Sequence, residues 1–398
     1  MDVNRVLKRA RALAQVSDQP GQIHRLGYSQ ALAQARELIR EWMAQSGLVV
    51  QTDPAGNLIG YGQDPIESAY WTGSHLDTVP GGGTYDGALG ILLGLEVAES
   101  LKGKLPLAVV AFAEEEGSRF GRGFLGSSAL AGNFAPEWLN LCDREGITLR
   151  TALESFGLEP SQIPAARLPE GRVLGFIEAH IEQGPVLDQL GQPLGIVTGM
   201  VGQIRAELTL RGQAGHAGTT PMENRRDALA GAAQLILLAE NIARDLPQVV
   251  ATVGDINVSP GSGNVIPGQA SLTLDLRHPQ EETLNAVWQG FLHQSQEAAS
   301  RRGLELSWKV LQQTPPAAMD PILTGKLAQV LPWAPQLYSG AGHDAQIMSQ
   351  IAPSAMLFIR SPGGISHHPA ESVNPEDVEA ALKALEKFFL LLAGELAE

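Results

Sequence analysis

Nine residues from Leu105 to Ala113 carry no charge and no polar side chain, and Glu114, Glu115 and Glu116 follow at once. A run so short and so apolar predicts a strand buried on both faces, the kind found in parallel sheets covered by helices. Val173–Ala179 repeats the pattern and also ends in ionisable residues, Glu178 and His180. Strand-like segments are expected at Val49–Thr52, Asn57–Tyr61 and Ala69–Ser74. Helical spacing places Leu32, Ala35, Leu38, Ile39 and Trp42 on one side of Gln30–Gln45, which Gly47 stops. Asp86–Leu101 is apolar at the same spacing. This alternation predicts an α/β fold: a mixed, mostly parallel sheet flanked by helices.

The middle of the chain changes period. Gln203–Arg211 alternates, Arg225–Leu246 is helical, Val249–Val258 and Ser271–Arg277 are strand-like, Pro279–Arg301 is helical, and Leu304–Val310 alternates again. The order β-α-β-β-α-β is that of a small ferredoxin-like α+β domain. Gly195–Gly202 and Gln312–Pro316 read as hinges. A length of 398 residues favours two to three domains at roughly 150 residues each. The predicted division is residues 1–198 and 316–398 for one domain, with residues 199–315 inserted. The closing helix begins with Asn374, Pro375 and Asp377, suited to a cap, a first turn and a helix dipole.

Charge and cysteine content narrow the function classes. A net charge of −15 repels nucleic-acid phosphates and anionic membranes, so neither is an expected partner. Small anionic substrates stay open, because one arginine or metal inverts the local field. The lone Cys142 cannot form an intramolecular disulfide, and thiolate zinc clusters are excluded. The first residues lack the apolar core of a signal peptide. The longest apolar runs, near Ile91–Leu95 and Phe388–Ala393, fall short of the about 18 residues a membrane helix needs. A cytoplasmic protein is expected.

Ionisable residues gather after the predicted strands. His75, in Gly73–Pro80, can ligate a metal while Asp77 accepts a hydrogen bond from its other ring nitrogen; a purely structural pair fits equally. Asp86, behind Gly81–Gly83, suits a metal ligand, a helix cap, or both. Three carboxylates at the end of a buried strand repel one another unless a cation holds them; a solvated acidic loop is the alternative, but the preceding apolar run favours a metal or acid-base site. His180 is structural or ligating. Of the adjacent His367 and His368, at most one can face a given site. A donor set of imidazoles and carboxylates suits Zn2+, Mn2+, Ni2+ or Co2+.

The runs G-S-H-L-D-T-V-P (73–80), Y-D-G-A-L-G (85–90), E-E-E-G-S-R-F (114–120), H-I-E-Q-G-P (180–185), G-H-A-G-T-T-P-M (215–222), G-H-D-A (342–345) and G-G-I-S-H-H-P-A-E (363–371) occur in this order. Together they resemble the ureido-amidohydrolase branch of the aminoacylase/carboxypeptidase G-like dinuclear metallohydrolases. That branch includes N-carbamoyl-L-amino-acid hydrolases, allantoate and ureidoglycolate amidohydrolases and β-ureidopropionases. The likeness runs from Arg25–Ser29 to the last helix. It implies two divalent ions per subunit, zinc first and manganese, nickel or cobalt as alternatives, held by His75, Asp86, Glu116, His180 and His367, with Asp86 shared. Aligning on the Glu-Glu-Gly ending makes Glu115 the general base and leaves Glu114 outside. Peptidase relatives carry a carboxylate where His180 stands.

The inserted domain resembles the family's dimerisation lid, which implies a homodimer. His216 matches a residue that polarises the scissile carbonyl, within or across subunits. Asn264 and Arg277 match substrate-binding positions; an arginine fork suits a carboxylate, whereas the residues alone favour a surface ion pair for Arg277. Gln183 is an expected substrate contact, and Gly363 and Gly364 are expected to offer backbone groups. The implied reaction is hydrolysis of a linear ureido C–N bond in an N-carbamoyl-L-amino acid, releasing ammonia and CO2. Allantoate stands next, then ureidoglycolate and β-ureidopropionate. A dipeptidase or aminoacylase on the same scaffold is a more distant alternative.

Overall fold

The computed structural model describes residues 1–65 and 67–396 and separates into two compact units, Met1–Thr198 with Ala318–Glu398, and Gly199–Ala317.

In the first unit nine strands form one mixed sheet among the described residues. Their order is Val49–Thr52, Leu58–Tyr61, Leu107–Phe112, Ala69–His75, Val173–Ile181, Ser354–Ile359, Leu194–Met200 and Ala317–Ala318, with Gln336–Ser339 also pairing Leu194–Met200. The four central strands, from Leu107–Phe112 to Ser354–Ile359, are mutually parallel. Each is buried almost throughout, which is why the sequence shows continuous apolar runs there.

The helix Ala88–Ser100 is buried from Ala88 to Ala98 on every side, as a helix lying inside a core must be. Its one buried charge, Glu96, is matched by Arg5 and Arg9 of the helix Val3–Ala14. Asp2 caps that helix by accepting from the N–H groups of Asn4 and Arg5. The core continues through Ile177, Ala179 and Ile181 to Leu385, Phe388 and Phe389 of the closing helix Pro375–Leu396. Alternation along Val173–Ile181 therefore turns Phe176, Glu178 and His180 to the other face.

The second unit is an antiparallel sheet in the order Ile256–Ser259, Gln269–His278, Gly202–Arg211, Glu305–Thr314, with Val250–Thr252 also on Gln269–His278. Ile204, Ala206, Leu208 and Leu210 face a core of their own, shared with the helices Ala228–Asp245 and Glu281–Arg301. This is the ferredoxin-like arrangement.

Two local expectations differ from the structure. Val249–Val258 is two strands, Val250–Thr252 and Ile256–Ser259, on either side of Gly254. The expected hinges are strand: Leu194–Met200 runs through the first and Glu305–Thr314 through most of the second. Ile196, Val197 and Met200 are fully buried, and the division between the two units falls after Thr198, within the first expected hinge, and after Ala317, just past the second. No helix among the described residues is long and apolar enough to cross a membrane.

Candidate active site

Parallel pairing brings the carboxyl ends of the four central strands to one edge, where α/β sheets collect their chemistry. His75 lies opposite Phe112, and His180 opposite Phe358. The Glu114–Glu116 turn and the 361–371 loop leave from the same edge. The expected ligands on these segments therefore meet.

Both buried histidines are oriented from behind by main-chain carbonyls. His75 Nδ1 is 3.0 Å from the carbonyl oxygen of Asp77, and His180 Nδ1 is 2.9 Å from that of Ile181. A carbonyl only accepts, so each ring carries its proton on Nδ1 and presents a lone pair at Nε2. The two Nε2 atoms lie 3.4 Å apart. Asp86 Oδ1 is 3.1 Å from Nε2 of His180 and 3.7 Å from that of His75, yet this buried oxygen has no hydrogen-bond partner. Lone pairs and an anionic oxygen converging without a proton fit a cation between them. Among the described residues, the one N–H that reaches Nε2 of His180 is the main-chain N–H of Gly87, at 3.2 Å.

The other oxygen of Asp86 faces a second group. Oδ2 is 3.2 Å from Nε2 of His367, which is 3.7 Å from Glu116 Oε2. Two donor triads, His75–Asp86–His180 and Asp86–Glu116–His367, thus share one carboxylate. Glu115 Oε2 is 3.8 Å from Nε2 of His75.

The charges explain the need for cations. Burial drives Glu115 well above the usual carboxylate range, more than His75 offsets. Burial, reinforced by Asp86, raises Glu116 to about 7. Burial also acts to raise Asp86, but the surrounding imidazoles of His180, His367 and His75 hold it well below its ordinary value. Burial lowers His75; Glu115, Asp86 and Asp77 outweigh it and draw the ring upward. His367, the most open of the five, is raised to about 8, chiefly by its bond to Asp86. The field favours positive charge at each ring, from protons or from metal.

Backbone strain gathers here. Glu114, Gln183 and His367 are three of the six described non-glycine residues with positive φ, at 51°, 59° and 54°. Glu114 is fully buried and outside the donor triads; its turn lets Glu115 and Glu116 follow the strand into the site.

Other expected residues fall differently. Asp77 holds His75 through its main-chain oxygen; its carboxylate instead accepts the N–H groups of Glu115 and Glu116, at 3.0 and 3.1 Å. Gln183 Nε2 donates to Asp86 Oδ2 at 3.0 Å. The Gly363 and Gly364 N–H groups are already given to Asp188 and Ser361, so those donors are committed within the protein. Gly364 itself combines φ of 68° with Pro185 where a Cβ would sit.

In the second unit, the register places His216 opposite Val265, and the Ala217 N–H bonds the Asn264 carbonyl. His216 is exposed, and its Nδ1 accepts the Gly218 N–H at 3.1 Å, which puts the neutral ring's proton on Nε2 as a donor. Arg277 makes two hydrogen bonds to Asp275, at 2.9 and 3.0 Å, the ion pair that the residues alone favoured.

Four contributors carried no expected role. His343, from the G-H-D-A run, has its ring centroid 4.4 Å from that of His180. Glu178 accepts from Ser74 Oγ and the Ala345 N–H, at 2.7 and 2.8 Å. Its signal was the alternation Glu178-x-His180 on one strand face. The guanidinium of Arg25, fully buried and lowered to about 10 by burial, donates to the carbonyl of Leu76 at 2.7 Å and steadies the loop after His75. Glu371 accepts two main-chain N–H groups beside Asp86.

A shared carboxylate between two donor triads at the edge of an α/β sheet defines the dinuclear metallohydrolase class. The sequence profile of peptidase family M20/M25/M40 matches residues 71–391, and the chain belongs to that family. It is 40% identical over 393 residues to an N-carbamoyl-L-amino acid amidohydrolase of Geobacillus stearothermophilus, covering 96% of each chain. It is 37% identical to an allantoate deiminase of Arabidopsis thaliana, over 96% of this chain and 80% of the relative. The crystal structure of an amidase of the hydantoinase/carbamoylase family from Burkholderia multivorans superimposes with a TM-score of 0.88 at 34% identity, covering 98% of each chain.

Proposed function

We propose that this protein hydrolyses the ureido C–N bond of an N-carbamoyl-L-amino acid, releasing ammonia and, from the resulting carbamate, CO2 and the free amino acid. The observation that carries the reading is the pair of donor triads sharing Asp86, with an imidazole, His180, completing the inner one. Relatives named for amidohydrolysis of N-carbamoyl amino acids support it. His75, Asp86, Glu116, His180 and His367 would hold divalent ions, zinc first, which when bound would supply Lewis-acid polarisation of a carbonyl and a more acidic water.

The chain's own residues then have defined tasks. Glu115, buried and high in proton affinity, takes the proton of the attacking water and returns it to the leaving nitrogen. As the C–N bond breaks, that nitrogen departs as ammonia. His216 donates from Nε2 to the developing oxyanion. Arg277, released from Asp275, grips the substrate carboxylate with its planar fork, and Asn264 and Gln183 orient the ureido group. A ureido carbonyl is poorly electrophilic, because two nitrogens donate into it, so donors and cations are required together.

The working unit is proposed to be a homodimer. Exposed Trp308, Val310 and Leu311 on the edge strand Glu305–Thr314 support that assignment. The single exposed thiol of Cys142 supports a reducing, cytoplasmic setting.

Allantoate is the second reading, supported by allantoate deiminases at 34–37% identity. Ammonia release decides between them. Metal-reconstituted protein is offered several N-carbamoyl-L-amino acids, N-carbamoyl-β-alanine, allantoate and ureidoglycolate in parallel. Preference for α-carbamoyl substrates is expected. Preference for allantoate transfers the reading to the second substrate, and no ammonia with metals bound overturns both.

A further inference from the structure

Glu371 lies outside both donor triads, yet it touches the segments that carry the second one. Its carboxylate is buried, and Oε1 accepts the N–H groups of Tyr85 and Asp86, at 2.7 and 3.1 Å. Oε2 is 3.3 Å from Ser366 Oγ, and that hydroxyl is 3.1 Å from Asp86 Oδ2. Ser366 Oγ thus sits between the two carboxylates and gives its single proton to one of them at a time, Asp86 being the nearer, while Glu371 holds the main chain of Asp86. Ser366 also immediately precedes His367. Room for the carboxylate is made by Gly83, where a Cβ would sit 2.0 Å from Glu371 Cδ.

The consequence concerns which way Asp86 faces. A carboxylate shared by two cations must keep one oxygen toward each. Oδ1 is placed by the rigid strand residues His75 and His180. Oδ2 accepts from Gln183 and otherwise faces Ser366 and His367 of the 361–371 loop, which has no strand to hold it. Glu371, by accepting the Tyr85 and Asp86 N–H groups, joins Ser366 and His367 in tying that loop to the 83–87 loop.

We propose that Glu371, acting through Ser366, is a positioning residue that sets Asp86 for sharing, so that its loss selectively weakens the cation held by Asp86, Glu116 and His367. The inference rests on the two-metal reading above. Outer partners of metal ligands typically govern about 10–100-fold of metal affinity.

Glu371→Gln keeps the Oε1 acceptor, and its new amide donates to Ser366 Oγ, which passes its single proton to Asp86. The hydrogen-bond path survives while the charge is lost. Glu371→Ala removes the path.

The test is equilibrium dialysis of the full chain and its variants against Zn2+ alone, with elemental counting and circular dichroism of the metal-free proteins. Wild type is expected to hold two ions. Glu371→Ala should keep one at unchanged affinity and bind the other at least about 10-fold more weakly. Glu371→Gln should stay within about 3-fold of wild type, and the Co2+-substituted absorption spectrum should change in Glu371→Ala only. If Glu371→Ala does not fold, Ser366→Ala carries the test, with selective loss at the second ion expected. Two ions bound alike in wild type, Glu371→Ala and Ser366→Ala overturn the proposal, as does a Gln variant as weak as Ala. A wild-type protein that binds no Zn2+ overturns the two-metal reading itself.

Discussion

At the sheet edge of the first unit, His75 and His180 are held from behind by carbonyl oxygens, and the carboxylate of Asp77 pins the main chain of Glu115 and Glu116. In the second unit His216 is exposed, and Arg277 is occupied by Asp275. The contrast follows from what each set does under the proposed reading. Groups that hold a cation sit among mutually repelling charges, so the fold must fix them before the cation arrives. Groups that meet a passing substrate bear that burden only while it is bound, and they stay open or borrow a local partner.

The comparison can be broken at its strongest point first. Asp86→Ala removes the shared ligand and is expected to abolish metal-dependent turnover, a fall of at least about 10³-fold, with loss of bound metal by elemental analysis. Glu115→Gln should lower kcat by about 10²–10⁴-fold while leaving metal content intact. Near-full activity in that variant would remove Glu115 from the base role. Chelation should silence the protein and lower its melting temperature, with Zn2+ or Mn2+ restoring both, because ions that bind only the folded chain stabilise it by mass action.

The second unit should respond more gently. Arg277→Met is expected to raise KM by about 10–100-fold with a smaller change in kcat, the pattern of lost carboxylate binding. The smallest effect concerns Asp275. Burial acts to raise its pKa, but the hydrogen bonds and charges of Arg277 and Arg205 win and hold it below the ordinary value. A depressed acid contributes stability that is present above its unfolded pKa of about 4 and is lost as pH falls through the lower folded value. Acid unfolding followed by circular dichroism should therefore shift slightly in Asp275→Asn, by under about 1 kcal/mol, because the pair is partly exposed.

The same contrast explains what could be read from the chain alone. Leu107–Phe112 and Val173–Ile181 were legible because double burial leaves an unbroken apolar run. Glu115, Glu116 and His180 drew notice because they end those runs; that they belong with His75, Asp86 and His367 in one set was implied by the family resemblance alone. Gly195–Gly202 was legible as the crossing between the two units but not as a strand, because its glycines mask the buried run of Ile196, Val197 and Met200. The tasks of Asp77 and Glu371 were not legible, since main-chain N–H groups have no sequence signal. Glu371 reaches a loop 285 residues away. His343 was inside a quoted run, but its approach to His180 depends on sheet order. Arg277 was legible as a residue and ambiguous as a role, and its bond to Asp275 shows why.

The central claim is that this sheet edge is a ready-made centre for two cations sharing Asp86. The most direct measurement is anomalous diffraction from crystals of the Zn2+-reconstituted protein. The account predicts two peaks about 3.5–4 Å apart, one against His75 and His180, the other against Glu116 and His367, with Asp86 touching both. A single peak, or two that do not share Asp86, would contradict it.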